Sequence, residues 1–300
     1  MSNPLQPFLD AQGFVVLDGG LGTSLEAEGV DINDPLWSAK VLLGDMAPLR
    51  RVHEQFLEAG ADVIGTCTYQ ATVPGLVRAG LSEAEARRVM GDAVSLALEV
   101  RDGFTARRAL VAASIGPYGA FLSDGSEYTG AYGLTAGELK SFHQERVQIL
   151  AESGADLLAF ETIPSLAETQ ALLDLLDESP GVWAWISFSV RDAEHLADGT
   201  PLAEAVGAVH EHRRIAAIGA NCFAPSLAVP LAEQLAGLVD LPIVLYPNSG
   251  ERYDARSKSW SGAGAGIGPA MLRQAGANCI GGCCRTTYGD IRRLRESLLP

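Results

Sequence analysis

Three stretches of this chain, "EAGADVIGTC", "ESGADLLAFE" and "QAGANCIGGC", repeat one local design: a helix end, a glycine, a short polar turn and then an apolar run. Glycine suits the left-handed residue that ends a helix, and an unbroken apolar run suits a strand covered on both faces. A joint of this kind, repeated along a chain, is what a parallel sheet with helical crossovers produces. Eight short apolar runs are present: "FVVLDGG", "DVIGTCT", "LVAASIGP", "DLLAFET", "WAWISFS", "IAAIGANC", "PIVLYPN" and "NCIGGCC". Most are separated by helical patterns. Leu49, Val52, Phe56 and Leu57 show the spacing of one helix face, and Ser82 with Glu85, Thr135 with Glu138, and Ser165 with Glu168 have capping-box spacing. Eight strands alternating with helices over 300 residues predict a (β/α)8 TIM barrel, with a doubly wound open sheet as the alternative. No Pro/Ser-rich tract or charge block divides the chain, so a single domain over 1–300 is expected.

The formal net charge is −15, which repels a nucleic-acid backbone or an anionic membrane over most of the surface. The start, "MSNPLQPFLDAQG", lacks a basic region followed by an apolar stretch, and no long apolar run follows. A cytoplasmic protein acting on small molecules, without nucleic-acid or membrane partners and as a monomer or homodimer, is the expectation. The cysteines number 5, an odd and sparse set that makes a poor disulfide framework and fits a reducing compartment.

In a barrel the active site forms at the C-terminal strand ends. The residues there are Asp18, Gly19 and Gly20; Thr66 and Cys67; Glu161; Asn221 and Cys222; Tyr246 to Asn248; and Gly281 to Cys284. Adjacent cysteines on a strand would face opposite ways, so Cys283 and Cys284 serve one purpose only if they lie on a turn, for which Gly281 and Gly282 supply backbone freedom. Cys222 joins them if the sixth and eighth strand ends meet. Three thiolates suit Zn2+ and leave one position open to a substrate. Such a site has net charge −1: a weak Lewis acid toward water, yet able to hold a substrate thiol as its thiolate. Sulfur alkylation fits better than hydrolysis, for which the strand ends lack histidine. A vicinal disulfide between Cys283 and Cys284 is the strained alternative.

Other residues have plainer readings. Cys67 and Cys279 lie beside or within apolar runs and are expected in the core. His53, His143, His195, His210 and His212 are expected at surface or hydrogen-bonded positions. Glu161 ends an apolar run, where a carboxylate needs a partner such as a ligand ammonium; Asp18 makes a similar case, although "DGG" also suits an ordinary turn. The connections "YGAFLSDGSEYTGAYGLT" and "SGERYDARSKSWSGAGAGIGP" are expected to cover the barrel mouth as binding loops.

Taken together, "LDGGLGTSLEAEG", "FETIP", "GANC" and "GGCCRTT" resemble the homocysteine S-methyltransferases, from about Asp18 to the end of the chain. "DPLWSAKVL", "TYQAT", "GPYGAFLSDGSEYTG", "FSVRDAEHLADGTPL" and "YPNSGERYDARSKSW" resemble more narrowly the branch that uses S-methylmethionine. The resemblance implies a (β/α)8 barrel with zinc on Cys222, Cys283 and Cys284. It further implies that Asp18 and Glu161 receive the homocysteine ammonium, that the backbone near Gly19 and Thr66 receives its carboxylate, and that Asn221 shapes the site. With a sulfonium donor, Trp37, Tyr118, Glu127 and Tyr128 are candidates to surround the cation, loop packing being the other reading. Betaine on the same barrel, or a non-catalytic zinc- or thiol-binding barrel, are the alternative functions.

Overall fold

Each of the eight apolar runs contains a strand. The computed structural model describes residues 2–34, 36–254, 259–262, 264, 266 and 268–299. The strands are β1 (Val15–Val16), β2 (Val63–Gly65), β3 (Leu110–Ile115), β4 (Leu157–Ile163), β5 (Ala184–Phe188), β6 (Ile215–Asn221), β7 (Ile243–Tyr246) and β8 (Cys279–Ile280). All pair in parallel with their sequence neighbours from β2 to β8, and β8 pairs with β1, Val15 opposite Cys279. A parallel bridge from Leu17 to Val63 joins β1 to β2 and closes the ring, which decides for the barrel over the open sheet. The barrel is a single unit.

Side-chain alternation then separates two cores. Val15, Leu17, Val63, Ala112, Ala159, Trp185, Ala217, Val244 and Cys279 point inward, and Leu5 and Phe8, beside and within the helix Gln6–Gln12, join this inner cluster. A larger cluster, with Phe56, Met90, Leu150, Leu172 and Leu231, fills the space between strands and outer helices. Gly60 ends the helix Ala47–Ala59 in the left-handed conformation, φ 118°, as the repeated helix-to-strand joint requires.

Ser82 and Thr135 form complete capping boxes with Glu85 and Glu138. Ser165 does so only in half. Its hydroxyl accepts the Glu168 N–H at 3.2 Å, but the Glu168 side chain turns into the interior, where Oε1 meets His143 Nε2 at 2.7 Å and the Tyr118 N–H at 2.6 Å, and Oε2 accepts the Tyr132 hydroxyl at 2.8 Å. Arg146 completes this buried group by donating to His143 Nδ1 at 2.7 Å. A fully buried carboxylate takes internal donors over a cap bond that water could replace. A further capping box, Thr287 with Asp290, starts the last helix, Tyr288–Leu298.

Four histidines are as expected: His143 is bonded, His195 and His212 meet Asp192 and Asp177, and His210 is exposed. His53 is not. It is fully buried and neither ring nitrogen has a partner among the described residues, and burial pushes its pKa down to about 4 and keeps the ring neutral. Its place on the apolar face of a helix overrides its polarity.

The bottom of the barrel is held by Asp62, which takes Arg295 Nη1 at 3.0 and 2.8 Å, Gln12 Nε2 at 2.8 Å and the Val16 N–H at 2.9 Å. This ties the last helix to the entries of β1 and β2. No helix among the described residues is long and apolar enough to cross a membrane. Replacing Arg295 by Ala, which strips the main cation from a buried carboxylate, is expected to cost about 3 kcal/mol in urea unfolding. A midpoint unchanged from the parent protein would contradict this role.

Candidate metal centre and substrate site

Cys283 and Cys284 lie just past β8, on a turn closed by the Thr286 N–H to the Cys283 carbonyl at 3.1 Å. The turn is there as expected, but not for the expected reason. Neither Gly281 nor Gly282 has a positive φ; the left-handed residue is Arg285, φ 64°. The glycines serve close approach instead: a Cβ on Gly282 would come within 2.2 Å of Thr286 Oγ1, and one on Gly19 within 2.9 Å of the Phe56 ring. Main-chain bonds to the end of β7 set the sulfur positions. The Cys222 N–H donates to the Tyr246 carbonyl at 3.1 Å, the Cys283 N–H to Pro247 at 2.8 Å, and the Cys284 N–H to Asn248 Oδ1 at 3.1 Å.

The three Sγ atoms consequently lie within 4.8 Å of one another, Cys222 and Cys284 being 3.9 Å apart. Tetrahedral bonds of about 2.3 Å place sulfurs about 3.8 Å apart, so the donor set and spacing fit a thiophilic metal ion. All three thiols are free and half-buried. Hydrogen bonds from Cys283 and Cys284 hold the Cys222 thiol well below its usual range, and the same sharing holds the other two up. A metal ion held by these residues would be bound through their thiolates, so binding would release protons. Cys67 and Cys279 take no part: both are buried, and burial pushes each thiol up to about 12.

Two carboxyl groups face this centre. Asp18 Oδ2 accepts the Gly65 N–H at 2.7 Å; burial, with Glu161 adding repulsion, raises its pKa to about 8. Glu161 is raised to about 7, again chiefly by burial, while accepting bonds from the Ser114 hydroxyl and from the Tyr246 hydroxyl at 3.1 Å. Thr66 lies behind them, with its N–H on the Ala112 carbonyl at 3.0 Å and its hydroxyl 2.6 Å from that of Thr68. Its own amide is therefore taken by the barrel ladder. Asn221, buried beside Cys222, bonds Thr162.

The connection after β3 reaches the same place. The Tyr128 hydroxyl is 3.2 Å from Cys222 Sγ, although 43% of the residue is exposed, and Glu127 has a buried Oε2 without a partner among the described residues and a carboxyl raised by burial to about 7. Trp37 is one ring removed, edge-on to Tyr69 at 6.2 Å. The Tyr118 ring packs against Phe121, Tyr132 and Phe142. No contact of that ring with the cysteines occurs among the described residues. In the connection after β7, residues 255–258, 263, 265 and 267 lie outside the described residues, and Arg252–Asp254 pairs antiparallel with Ser259–Ser261.

Ser114, Ser187, Thr162 and Tyr69 were not singled out from sequence. For the two serines a signal exists: each is a hydroxyl inside an otherwise apolar buried run, which requires an internal partner.

Residues 15–298 match the family model described as homocysteine S-methyltransferase. The chain belongs to the homocysteine S-methyltransferase family. It is 46% identical over 305 residues to homocysteine S-methyltransferase YbgG of Bacillus subtilis (strain 168), covering 97% of this chain and 96% of that protein. It is 44% identical over 304 residues to homocysteine S-methyltransferase of Escherichia coli (strain K12), covering 98% of both. The solved structure of the homocysteine methyltransferase MmuM from Escherichia coli, metallated form, superposes with a TM-score of 0.89 at 42% identity, covering 98% of this chain and 100% of that one.

The raised carboxyls of this family member carry a stability consequence. Asp18 and Glu161 hold protons more tightly folded than unfolded, so their contribution is full in acid, below the unfolded values of 3.8 and 4.5, and is lost progressively until pH has risen through the folded values of about 7 for Glu161 and about 8 for Asp18. In metal-free, substrate-free protein the denaturation midpoint should fall across that window, and Asp18→Asn should flatten the fall. An unaltered slope in the variant would show that the groups are not perturbed by burial.

Proposed function

We propose that the protein is a zinc-dependent homocysteine S-methyltransferase that transfers a methyl group from S-methylmethionine to homocysteine, giving methionine from both. The observation that carries the reading is the convergence of three free thiols at one barrel mouth, opposite the two half-buried carboxyls of Asp18 and Glu161. Family membership supports methyl transfer to homocysteine; the charge and shape of the site support the rest.

Cys222, Cys283 and Cys284 would hold the zinc. Bound there, it would keep the homocysteine sulfur as a thiolate near neutral pH without withdrawing the charge that makes it nucleophilic. Asp18 and Glu161 receive the homocysteine ammonium: a cation between two carboxyls of raised pKa restores their ionised form and relieves the repulsion between them. The backbone around Gly19 and just past Thr66, whose own amide is taken, would face the carboxylate of the same substrate. Glu127, with its free buried oxygen, and Tyr128 lie on the donor side, where a sulfonium would find a charge and a ring face, with Trp37 behind Tyr69. Thiolate and sulfonium become two neutral thioethers, so charge is lost in the transition state and a site closed to water favours it. No general acid is required. The work left to the protein is to hold two sulfurs in line about one carbon. Free thiols that must stay reduced support a reducing compartment, the cytoplasm, for the reaction.

Methionine formation from homocysteine and S-methylmethionine by the zinc-loaded protein is the deciding assay. Cys283→Ser is expected to lose zinc and turnover together, and turnover that survives the loss of zinc would sink the metal-thiolate reading. A donor panel adds a second outcome. S-adenosylmethionine, also a sulfonium, should turn over weakly and betaine not at all; strong turnover with betaine alone would replace the donor assignment. Bound zinc with no methyl transfer from any donor would leave a zinc-binding barrel.

A further inference from the structure

β4 does not run regularly to its end. It pairs with β5 as far as Phe160 opposite Ile186, then resumes at Ile163 opposite Phe188. Two residues, Glu161 and Thr162, thus face the single residue Ser187, which makes a bulge. The core clusters show the resulting change of phase: Leu157 and Ala159 point inward, Leu158 and Phe160 outward, and Ile163 outward again. The bulge turns Glu161 and Thr162 both toward the barrel interior. It places Thr162 at φ 61°, a left-handed conformation that a β-branched residue rarely adopts.

Something must hold that conformation, and Asn221 reaches across from β6 to do so. Its Oδ1 accepts the Thr162 N–H at 2.7 Å and its Nδ2 donates to Thr162 Oγ1 at 2.8 Å. A second connection leads to the same carboxylate. Ser187 donates to Asn221 Oδ1 at 2.8 Å, the Ser187 and Tyr246 hydroxyls lie 2.5 Å apart, and Tyr246 donates to Glu161 Oε2 at 3.1 Å. All of these groups but Glu161 are buried. We infer that Asn221 is a positioning residue, which by clamping the left-handed bulge at Thr162 aims the Glu161 carboxylate at the homocysteine ammonium. It acts through Thr162 and Tyr246, not by touching substrate. The inference rests on the proposed role of Glu161 and goes beyond it in naming what orients that group.

The experiment uses the full-length zinc-loaded protein, with homocysteine affinity from calorimetry and KM for both homocysteine and S-methylmethionine. Glu161→Gln tests the underlying reading: an unchanged homocysteine affinity removes that role and the inference with it. Given a loss there, Asn221→Ala should weaken homocysteine about tenfold, as expected for a misaimed binding group, with the S-methylmethionine KM moved less than about twofold. Glycine adopts left-handed backbone without a side-chain penalty. Adding Thr162→Gly to Asn221→Ala should therefore recover much of the homocysteine affinity. Equal changes in both KM values, or no recovery in the double variant, would overturn the inference in favour of a purely structural asparagine. Should Asn221→Ala fail to fold, Thr162→Val removes the Oγ1 bonds to Asn221 Nδ2 and to Tyr69 while keeping the N–H to Oδ1 bond. It must then show a smaller rise confined to homocysteine, and an unchanged affinity would overturn the inference equally.

Discussion

The site depends on a few main-chain hydrogen bonds at the end of β7. Tyr246 and Pro247 offer their carbonyls to the N–H groups of Cys222 and Cys283, and Asn248 offers its side-chain oxygen to that of Cys284. Residues more than sixty positions apart are thereby brought to within 4.8 Å, sulfur to sulfur. Because these bonds extend the barrel's own ladder, the positions of the ligands are as rigid as the sheet. Backbone pairing of this kind is obligatory once the strands close, so the sulfur positions follow from the sheet itself.

Electrostatics explains why the assembled mouth waits for cations. A chain of net charge −15 collects Asp18, Glu161 and Glu127 around three thiols, in surroundings poor in water. Burial raises all three carboxyls, which is the response of acidic groups denied both solvent and counter-ions. A metal dication, an amino-acid ammonium and a sulfonium would each relieve part of that cost.

The strand-to-helix rhythm was legible because period and length separate buried strands from amphipathic helices, and the cysteines, Asp18 and Glu161 were legible because they stand where apolar runs stop. Other features were not. The bulge at Glu161 and Thr162 leaves no mark in "LLAFETI", since it arises from pairing with Ser187 on the next strand. Glu168 has the spacing of a capping residue, and only its neighbours His143, Tyr118 and Tyr132 draw it inward. Gly281 and Gly282 looked like residues of a tight turn; their purpose is contact with Leu17 and Thr286, more than two hundred and only a few positions away respectively.

By itself, then, the sequence determined which elements form, in what order, and which side chains reach the strand ends, because those depend on local periodicity and on what apolar surroundings tolerate. Tertiary structure alone decided the rest: that the ring closes through Leu17 and Val63, that Cys222 meets Cys283 and Cys284, and that Asn221 grips Thr162 across an intervening strand. The physical reason is common to all three. Each is a contact between residues whose separation along the chain carries no information about distance until every strand has found its partner.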